Sequence, residues 1–99
     1  MNNETAEPIK ELEDYTLLFS FKHRSFFGKD VNHYLYKGLF HNVHISYCDL
    51  GFRCSWVVSY GTGETLEDYE DMGEKYSGTS RHQAIESAKD VLGRVQGLN

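Results

Sequence analysis

Cysteine and long apolar runs are scarce in this chain, and each scarcity excludes a class of protein. Two cysteines are too few for a disulfide framework. The longest apolar run covers only a few residues, whereas a membrane-spanning helix needs about 20. No basic and then apolar leader precedes a cleavage-like site. We therefore expect a soluble, cytoplasmic protein that does not associate with a membrane.

Basic residues are also outnumbered, but aromatic residues are plentiful. The 99 residues carry a net charge of −5, and 14% of them are aromatic. Aromatic side chains are large apolar units, so a chain of this length can build one core despite its low mean hydropathy. We expect residues 1–99 to form a single domain whose polar start, residues 1–7, is disordered.

Alternating apolar and polar residues predict an antiparallel sheet. The clearest element is a hairpin of residues 39–47 and 52–60, joined by the turn Asp49-Leu50-Gly51. Residues 31–38 fit either a strand or a helix, and their aromatic content favours a strand. An earlier strand is indicated by four alternating residues that would share its inner face: Tyr15, Leu17, Phe19 and Phe21.

The end of the chain is typical of an amphipathic helix over residues 80–98. Ser80, with Gln83 three residues later, has the pattern of a helix cap. The apolar positions that follow form one stripe, namely Ala84, Ile85, Ala88, Val91, Leu92 and Val95. A short helix is expected over residues 8–14. The predicted fold is α+β, a three- to four-stranded antiparallel sheet with one long C-terminal helix packed on one face.

The register of the hairpin bears on the two cysteines. If Val43 and Tyr47 share a face with Trp56, the residue numbers of any two cross-strand partners add up to an odd number. Cys48 and Cys54 then point to opposite sides of the sheet. We therefore predict two free thiols.

Acidic residues are concentrated between the hairpin and the last helix. We predict a long acidic loop over residues 61–79, with a short helix inside it that Thr65 caps. Loops longer than about 12–15 residues are uncommon in compact domains unless they are functional or disordered. Partner binding is therefore assigned to residues of this segment: Glu64, Glu67, Asp68, Tyr69, Glu70, Asp71, Met72 and Glu74.

Basic and aromatic residues lie together in the turn after the first strand and at the start of the last helix. Their composition is compatible with base stacking and phosphate contact. The alternative, nucleic-acid-binding set is His23, Arg24, Phe26, Phe27, Lys29, Arg81 and Lys89. In the competing interpretation, one Phe closes the edge of the core and the charges keep the turn in solvent.

The sequence predicts no metal site, no cofactor and no catalytic site. His41 and His44 would lie on opposite faces of a strand, which leaves His44 and Cys48 on one side. Two ligands do not make a structural zinc site. The acidic residues lack the spacing of a calcium loop, and no nucleophile, base and oxyanion donor can be grouped. We expect a protein that is not an enzyme.

The turn Asp49-Leu50-Gly51-Phe52 and the helix opening at residues 80–89 resemble the β-β-β-α units of the double-stranded-RNA-binding domain and of HicB-type antitoxins. The resemblance implies strands followed by a helix, and a role in RNA binding or as an antitoxin. Double-stranded-RNA binders present several lysines at this helix start to meet phosphates. This chain has Arg81 and His82 there.

The charge pattern favours a small, non-catalytic regulatory protein that docks its acidic surface on a basic site of a protein partner. If that site normally holds nucleic acid, the protein would be an inhibitor, like the anti-CRISPR proteins of phages and mobile elements. The alternative is an RNA-binding or HicB-like antitoxin module that uses the basic set. Self-association into a homodimer is a further option.

Overall fold

The computed structural model describes residues 7–25 and 28–93 of the chain. A 3-10 helix (Lys10–Leu12) comes first, followed by β1 (Thr16–Arg24), β2 (Asp30–Lys37), β3 (Asn42–Asp49), β4 (Cys54–Thr62), β5 (Glu70–Gly78) and α1 (Arg81–Leu92). The five strands of these ranges form one antiparallel sheet in the order β1-β2-β3-β4-β5, so each strand pairs with its neighbours along the chain. The α+β class and the sheet with a C-terminal helix are confirmed, whereas the expected strand number, three to four, is too low.

The additional strand lies where we expected the long acidic loop, so that prediction is wrong for residues 70–78. Strand interiors are poor in Asp and Glu, which is why the sequence pattern suggests a loop. An edge strand tolerates these residues, because one of its sides faces solvent. Charges there discourage pairing with other chains. β5 occupies such an edge and pairs with β4 from Trp56↔Gly78 to Thr62↔Glu70.

The core lies between one face of the sheet and α1. Alternate residues of the three central strands face the helix and are buried there: Tyr34, Tyr36, Val43, Ile45, Trp56 and Val58. The helix contributes the predicted stripe, of which Ala84, Ile85, Ala88 and Leu92 are buried. Ile9 and Leu12 close the core beside the helix. Within the described residues, α1 therefore covers one face of the sheet.

A local hydrogen bond and a glycine set the two ends of α1. The Ser80 hydroxyl accepts a hydrogen bond of 3.1 Å from the backbone N–H of Gln83, which confirms the predicted cap. The helix stops at Leu92, before the predicted end, and Gly93 follows with a φ of 81°. Val95 lies outside the described residues. No helix within the described ranges is long and apolar enough to cross a membrane.

The hairpin register is the predicted one. Tyr47 pairs with Trp56, and Cys48 pairs with Ser55. Cys54 lies on the helix side against the core, whereas Cys48 projects from the opposite face, because neighbouring pairs alternate between faces. Both cysteines are free thiols, as predicted.

A bulge in β1 overturns the expected inner face of that strand. The pairing with β2 shifts between Leu17 and Phe19. Leu17 therefore packs against the core, whereas Phe21 stacks on His33 at the opposite face. One extra residue moves every later side chain to the other side of the sheet. The strand predicted at residues 31–38 is confirmed as β2, and the expected helix at 8–14 is the single 3-10 turn.

The contact between β4 and β5 depends on a glycine. A β-carbon at Gly61 would overlap the carbonyl group of Glu70. We expect Gly61→Ala to lower the free energy of unfolding by about 1–3 kcal/mol, as for other overpacked sites, and to expose the β5 amides to solvent. Urea denaturation and amide hydrogen exchange measure the two effects.

Gly51→Ala is the matched control for this substitution. A β-carbon there meets nothing within 4 Å, but the φ of 93° makes the substitution strained, at a cost of about 1–2 kcal/mol. The strain is confined to the turn between β3 and β4. Equal loss of protection along β5 in both variants would contradict the proposed role of Gly61.

Candidate functional site

The candidate site is the acidic edge, which we define as five carboxylates in the turn before β5 and on β5 itself: Glu67, Asp68, Glu70, Asp71 and Glu74. All five residues are exposed. Within residues 7–25 and 28–93, none of them forms an ion pair with a lysine, arginine or histidine. Glu64 differs from this group because it pairs with Lys37. The acidic edge therefore carries negative charge that the described part of the protein leaves unneutralised.

Local hydrogen bonds fix the turn that begins the acidic edge. The Thr65 hydroxyl accepts from the Asp68 N–H at 3.1 Å, and the Thr65 carbonyl accepts from the Tyr69 N–H at 3.0 Å. The Asn42 side chain donates to the Gly63 carbonyl at 2.8 Å, which holds the turn against β3. Thr65 thus caps the segment as expected, but the segment is one turn and not the predicted short helix.

The three apolar residues of this segment have different surroundings. Leu66 is 61% exposed and Met72 is 54% exposed. Tyr69 is half-buried, and its hydroxyl lies 3.1 Å from that of Ser59 on β4. Tyr69 therefore holds the turn on the sheet, and Leu66 and Met72 are the apolar side chains available to a partner.

A ladder of aromatic rings crosses the sheet face that α1 leaves uncovered. We call it the ring ladder and define it by five residues: Phe21, His23, His33, His44 and Tyr69. The His33 ring stacks on Phe21 at 4.6 Å, on His23 at 4.9 Å and on His44 at 5.3 Å between centroids. The Tyr69 ring lies 5.7 Å from His44. The ladder thus connects β1 to the turn that carries the acidic edge.

Sequence reasoning missed the ladder because it considered His44 with Cys48 and not with His33. Two signals were present. The residue numbers of partners in β2 and β3 add up to an odd number, as in Tyr34↔Ile45, and this parity places His33 and His44 on one face. Beyond the bulge, the residue numbers of partners in β1 and β2 add up to an even number, as in Phe21↔His33. Both signals become visible only once the strands are paired.

The paired histidines share one hydrogen bond. Nδ1 of His33 lies 3.1 Å from Nε2 of His44, so one nitrogen donates and the other accepts. Burial, together with the charges of His44 and His23, lowers the pKa of His33 to about 4. Burial also lowers the pKa of His44, against a smaller raising effect of Asp71. In the described ranges, no group of three or more His, Cys, Asp or Glu side chains could hold a metal ion.

The predicted nucleic-acid-binding residues do not form a uniform basic surface. Arg24 lies 3.7 Å from Asp30 and donates to the Gly28 carbonyl. Arg81 makes two hydrogen bonds to Glu11, at 2.8 and 3.2 Å. The hydrogen bonds from Arg81 are the main cause of the lowered pKa of the Glu11 carboxyl, and the charge of Lys89 on α1 makes a smaller contribution. Phe26 and Phe27 lie outside the described residues.

The cleft beside the β1–β2 turn has mixed charge. It measures about 500 Å³, and its wall combines three cations with two carboxylates: Lys22, Arg24, Lys29, Asp30 and Asp49. A phosphate group would meet acidic and basic groups together there. His23 is not part of this cleft lining, because its ring belongs to the ring ladder.

Comparison of the chain with protein-family models, curated proteins and solved structures found no match. The resemblance to double-stranded-RNA-binding domains and HicB-type antitoxins therefore stays a prediction.

The buried histidines of the ring ladder predict that the protein becomes less stable as the pH falls. Unfolded histidine titrates near pH 6.5, whereas the folded pKa of His33 is about 4. Between these values the unfolded chain binds more protons, so the free energy of unfolding decreases as the pH falls through this window. We expect the thermal midpoint to decrease from about pH 7 to pH 4.5, measured by circular dichroism.

His33→Phe keeps a ring in the ladder and removes the titrating group. The decrease in its thermal midpoint over the same pH range should be smaller than that of the unsubstituted protein. His82→Gln is the matched control, because His82 is exposed on α1 and its removal should leave the pH dependence unchanged. If all three proteins lose the same stability, the ladder is not the source of the effect.

Proposed function

We propose that the protein is a non-catalytic regulatory module that docks its acidic edge on a basic surface of a protein partner. The observation that carries this proposal is the row of five exposed carboxylates without an ion-pair partner in the described ranges. Isolated exposed charges are common on any surface. The five acidic residues are neighbours, and a strand and a capped turn hold them in place. Together they produce a concentrated negative potential that attracts cations.

Two exposed apolar side chains complement this potential. Leu66 and Met72 lie within the same segment as the acidic edge. Charges steer a partner into contact and select its orientation, whereas buried apolar contacts supply much of the affinity. A partner with lysines or arginines around an apolar depression would satisfy both features. Association should therefore be faster at low salt. In 0.1 M salt, the attraction between exposed charges more than about 10 Å apart is largely screened.

The charge of the acidic edge suits a partner that normally holds nucleic acid. Carboxylates and phosphates are both anions, and the same lysine and arginine side chains bind either of them. Glu70, Asp71 and Glu74 lie on one strand, with Glu67 and Asp68 in the turn before it. The acidic edge would therefore compete for the cations that bind phosphates. The protein would act as an inhibitor of a nucleic-acid-binding machine, in the manner of anti-CRISPR proteins.

A second candidate is nucleic-acid binding through the basic residues at the β1–β2 turn. The observation that favours it is the cleft with three cations, Lys22, Arg24 and Lys29. Asp30 and Asp49 in the same wall oppose phosphate binding. We place this function below the first, and the resemblance to HicB-type antitoxins belongs with it.

Neutralising four of the five carboxylates of the acidic edge tests the proposed function. In the variant Glu67→Gln, Asp68→Asn, Glu70→Gln and Asp71→Asn, we expect capture of the partner from a lysate of the native cell or its host to be lost. The captured protein is identified by mass spectrometry. Purified partner should then release bound nucleic acid when the unsubstituted protein is added, and fluorescence anisotropy of labelled RNA and DNA measures this release.

A second fourfold variant controls for net charge. Glu7, Glu13, Asp14 and Glu86 are exposed acids away from the acidic edge, and their replacement by Gln or Asn changes the net charge equally. This control should capture the partner as the unsubstituted protein does. Both variants should have the same thermal midpoint as the unsubstituted protein. Equal capture by all three proteins would refute docking through the acidic edge, and direct saturable binding of labelled RNA or DNA would favour the second candidate.

A further inference from the structure

A groove of about 370 Å³ lies at the β1 edge of the sheet face opposite α1. We call it the Leu66 groove and define it by residues 18–21 of β1 and residues 64–66 of the turn that follows β4. Phe19 and Phe21 belong to its β1 side, with ring centroids 5.9 Å apart, and Leu66 belongs to its other side. The groove thus has large apolar side chains on both sides.

The turn after β4 crosses this face of the sheet and is held at two points. Tyr69 is held at β4, where its hydroxyl lies 3.1 Å from that of Ser59. Glu64 is held at β2 through its ion pair with Lys37. The next strand beyond β2 is β1. The groove is therefore the gap between an anchored turn and the first strand of the sheet.

The sheet beside the groove is apolar as well. Leu35 pairs with Phe19 on β1 and with His44 on β3, so it shares the face of the ring ladder. Its side chain is fully buried, although it lies outside the core that α1 covers. Side chains on the face opposite α1 must therefore cover Leu35. An apolar group in the groove would extend this burial.

The groove and its rim differ in charge. Glu64 is the one ionisable side chain among the residues that define the groove, and Lys37 pairs with it. Glu67 and Asp68 follow Leu66 directly in the chain, and neither has an ion-pair partner within residues 7–25 and 28–93. The groove therefore favours an apolar group, whereas its rim favours a cation.

We propose that the Leu66 groove binds an apolar side chain of the partner, with flanking lysine or arginine residues of the partner in contact with Glu67 and Asp68. This inference rests on the proposed function and names the kind of segment that meets the acidic edge. The apolar side chain buries surface against Phe19 and Leu66. The flanking cations meet carboxylates that have no ion-pair partner in the described ranges, which fixes the orientation of the segment.

Other occupants use fewer of these features. Two copies of this chain repel each other, because each carries a net charge of −5. A segment that is apolar throughout would cover Glu67 and Asp68 without providing a cation. A segment that is basic throughout would gain nothing from the groove itself, because Glu64 is already paired. An apolar residue between basic residues satisfies both the groove and its rim.

Three blocked peptides, titrated into the ¹⁵N-labelled protein and followed by NMR, test the groove without the partner. The first is acetyl-Lys-Lys-Leu-Lys-Lys-amide, and we expect it to shift the amide signals of Phe19, Phe21 and Leu66. A second peptide with Ser in place of Leu keeps the charge, and a third with Ser in place of every Lys keeps the apolar group. Each should bind about tenfold more weakly. Equal affinity of the first two peptides, or shifts confined to residues 67–74, would overturn the proposal.

Leu66→Ala shortens one side of the groove and should weaken binding of the Leu peptide by about fivefold or more. Leu66 is 61% exposed, so the thermal midpoint should change little. Leu66→Met keeps a large apolar side chain and should keep the affinity. Met72→Ala is the matched control, because Met72 is 54% exposed but lies outside the residues that define the groove. An equal loss of affinity in Leu66→Ala and Met72→Ala would contradict the proposal.

Self-association is measured by size-exclusion chromatography with light scattering. We expect a monomer, because of the repulsion between two copies. A dimer that Leu66→Ala dissociates would show that the groove is an interface between copies of this chain, and the proposal would be wrong.

The same variants distinguish this inference from the proposed function. If partner capture needs the acidic edge but survives Leu66→Ala, and the peptide with Ser binds as tightly as that with Leu, the groove is refuted and docking through the acidic edge stands. If the Leu peptide binds the groove but neutralising residues 67–71 leaves capture intact, the groove remains a site for an apolar side chain and the proposed function fails.

Discussion

The pairing of β5 with β4 is the interaction on which the candidate site depends. Without it, the acidic side chains of residues 70–74 would belong to a loop with no fixed spacing. With it, Glu70 lies opposite Thr62 and Glu74 lies opposite Ser59, so the carboxylates project from a strand. Gly61 allows the two strands to approach, because a larger residue would overlap the Glu70 carbonyl.

The two faces of the sheet have different roles because residues 7–25 and 28–93 contain one α-helix, which packs on one of them. α1 and the segment around Leu12 bury the apolar side chains of one face. Among the described residues, no second layer lies on the other face, and stacked rings cover part of it instead. Tyr69 joins this ring ladder and also holds the turn of the acidic edge, through its contacts with His44 and Ser59. The ring ladder and the turn of the acidic edge are therefore in direct contact through Tyr69.

Negative charge on β5 has two physical consequences that do not conflict. Charged side chains on an edge strand hinder indiscriminate pairing with other strands. In the docking that we propose, the same charges, left unpaired by the described part of the protein, would attract a basic surface of the partner.

Short-range patterns in the sequence determined the class of the fold, the Asp49-Leu50-Gly51 turn, the capped helix at Ser80 and the opposite orientation of the two cysteines. Each depends on periodicity or on a hydrogen bond within a few residues, so neighbours along the chain suffice to specify it. Only the tertiary structure decided that residues 70–78 pair as a strand, that the β1 bulge turns Phe21 away from the core, and that His33 meets His44. These depend on register between distant strands, and a shift of one residue moves every side chain to the other face.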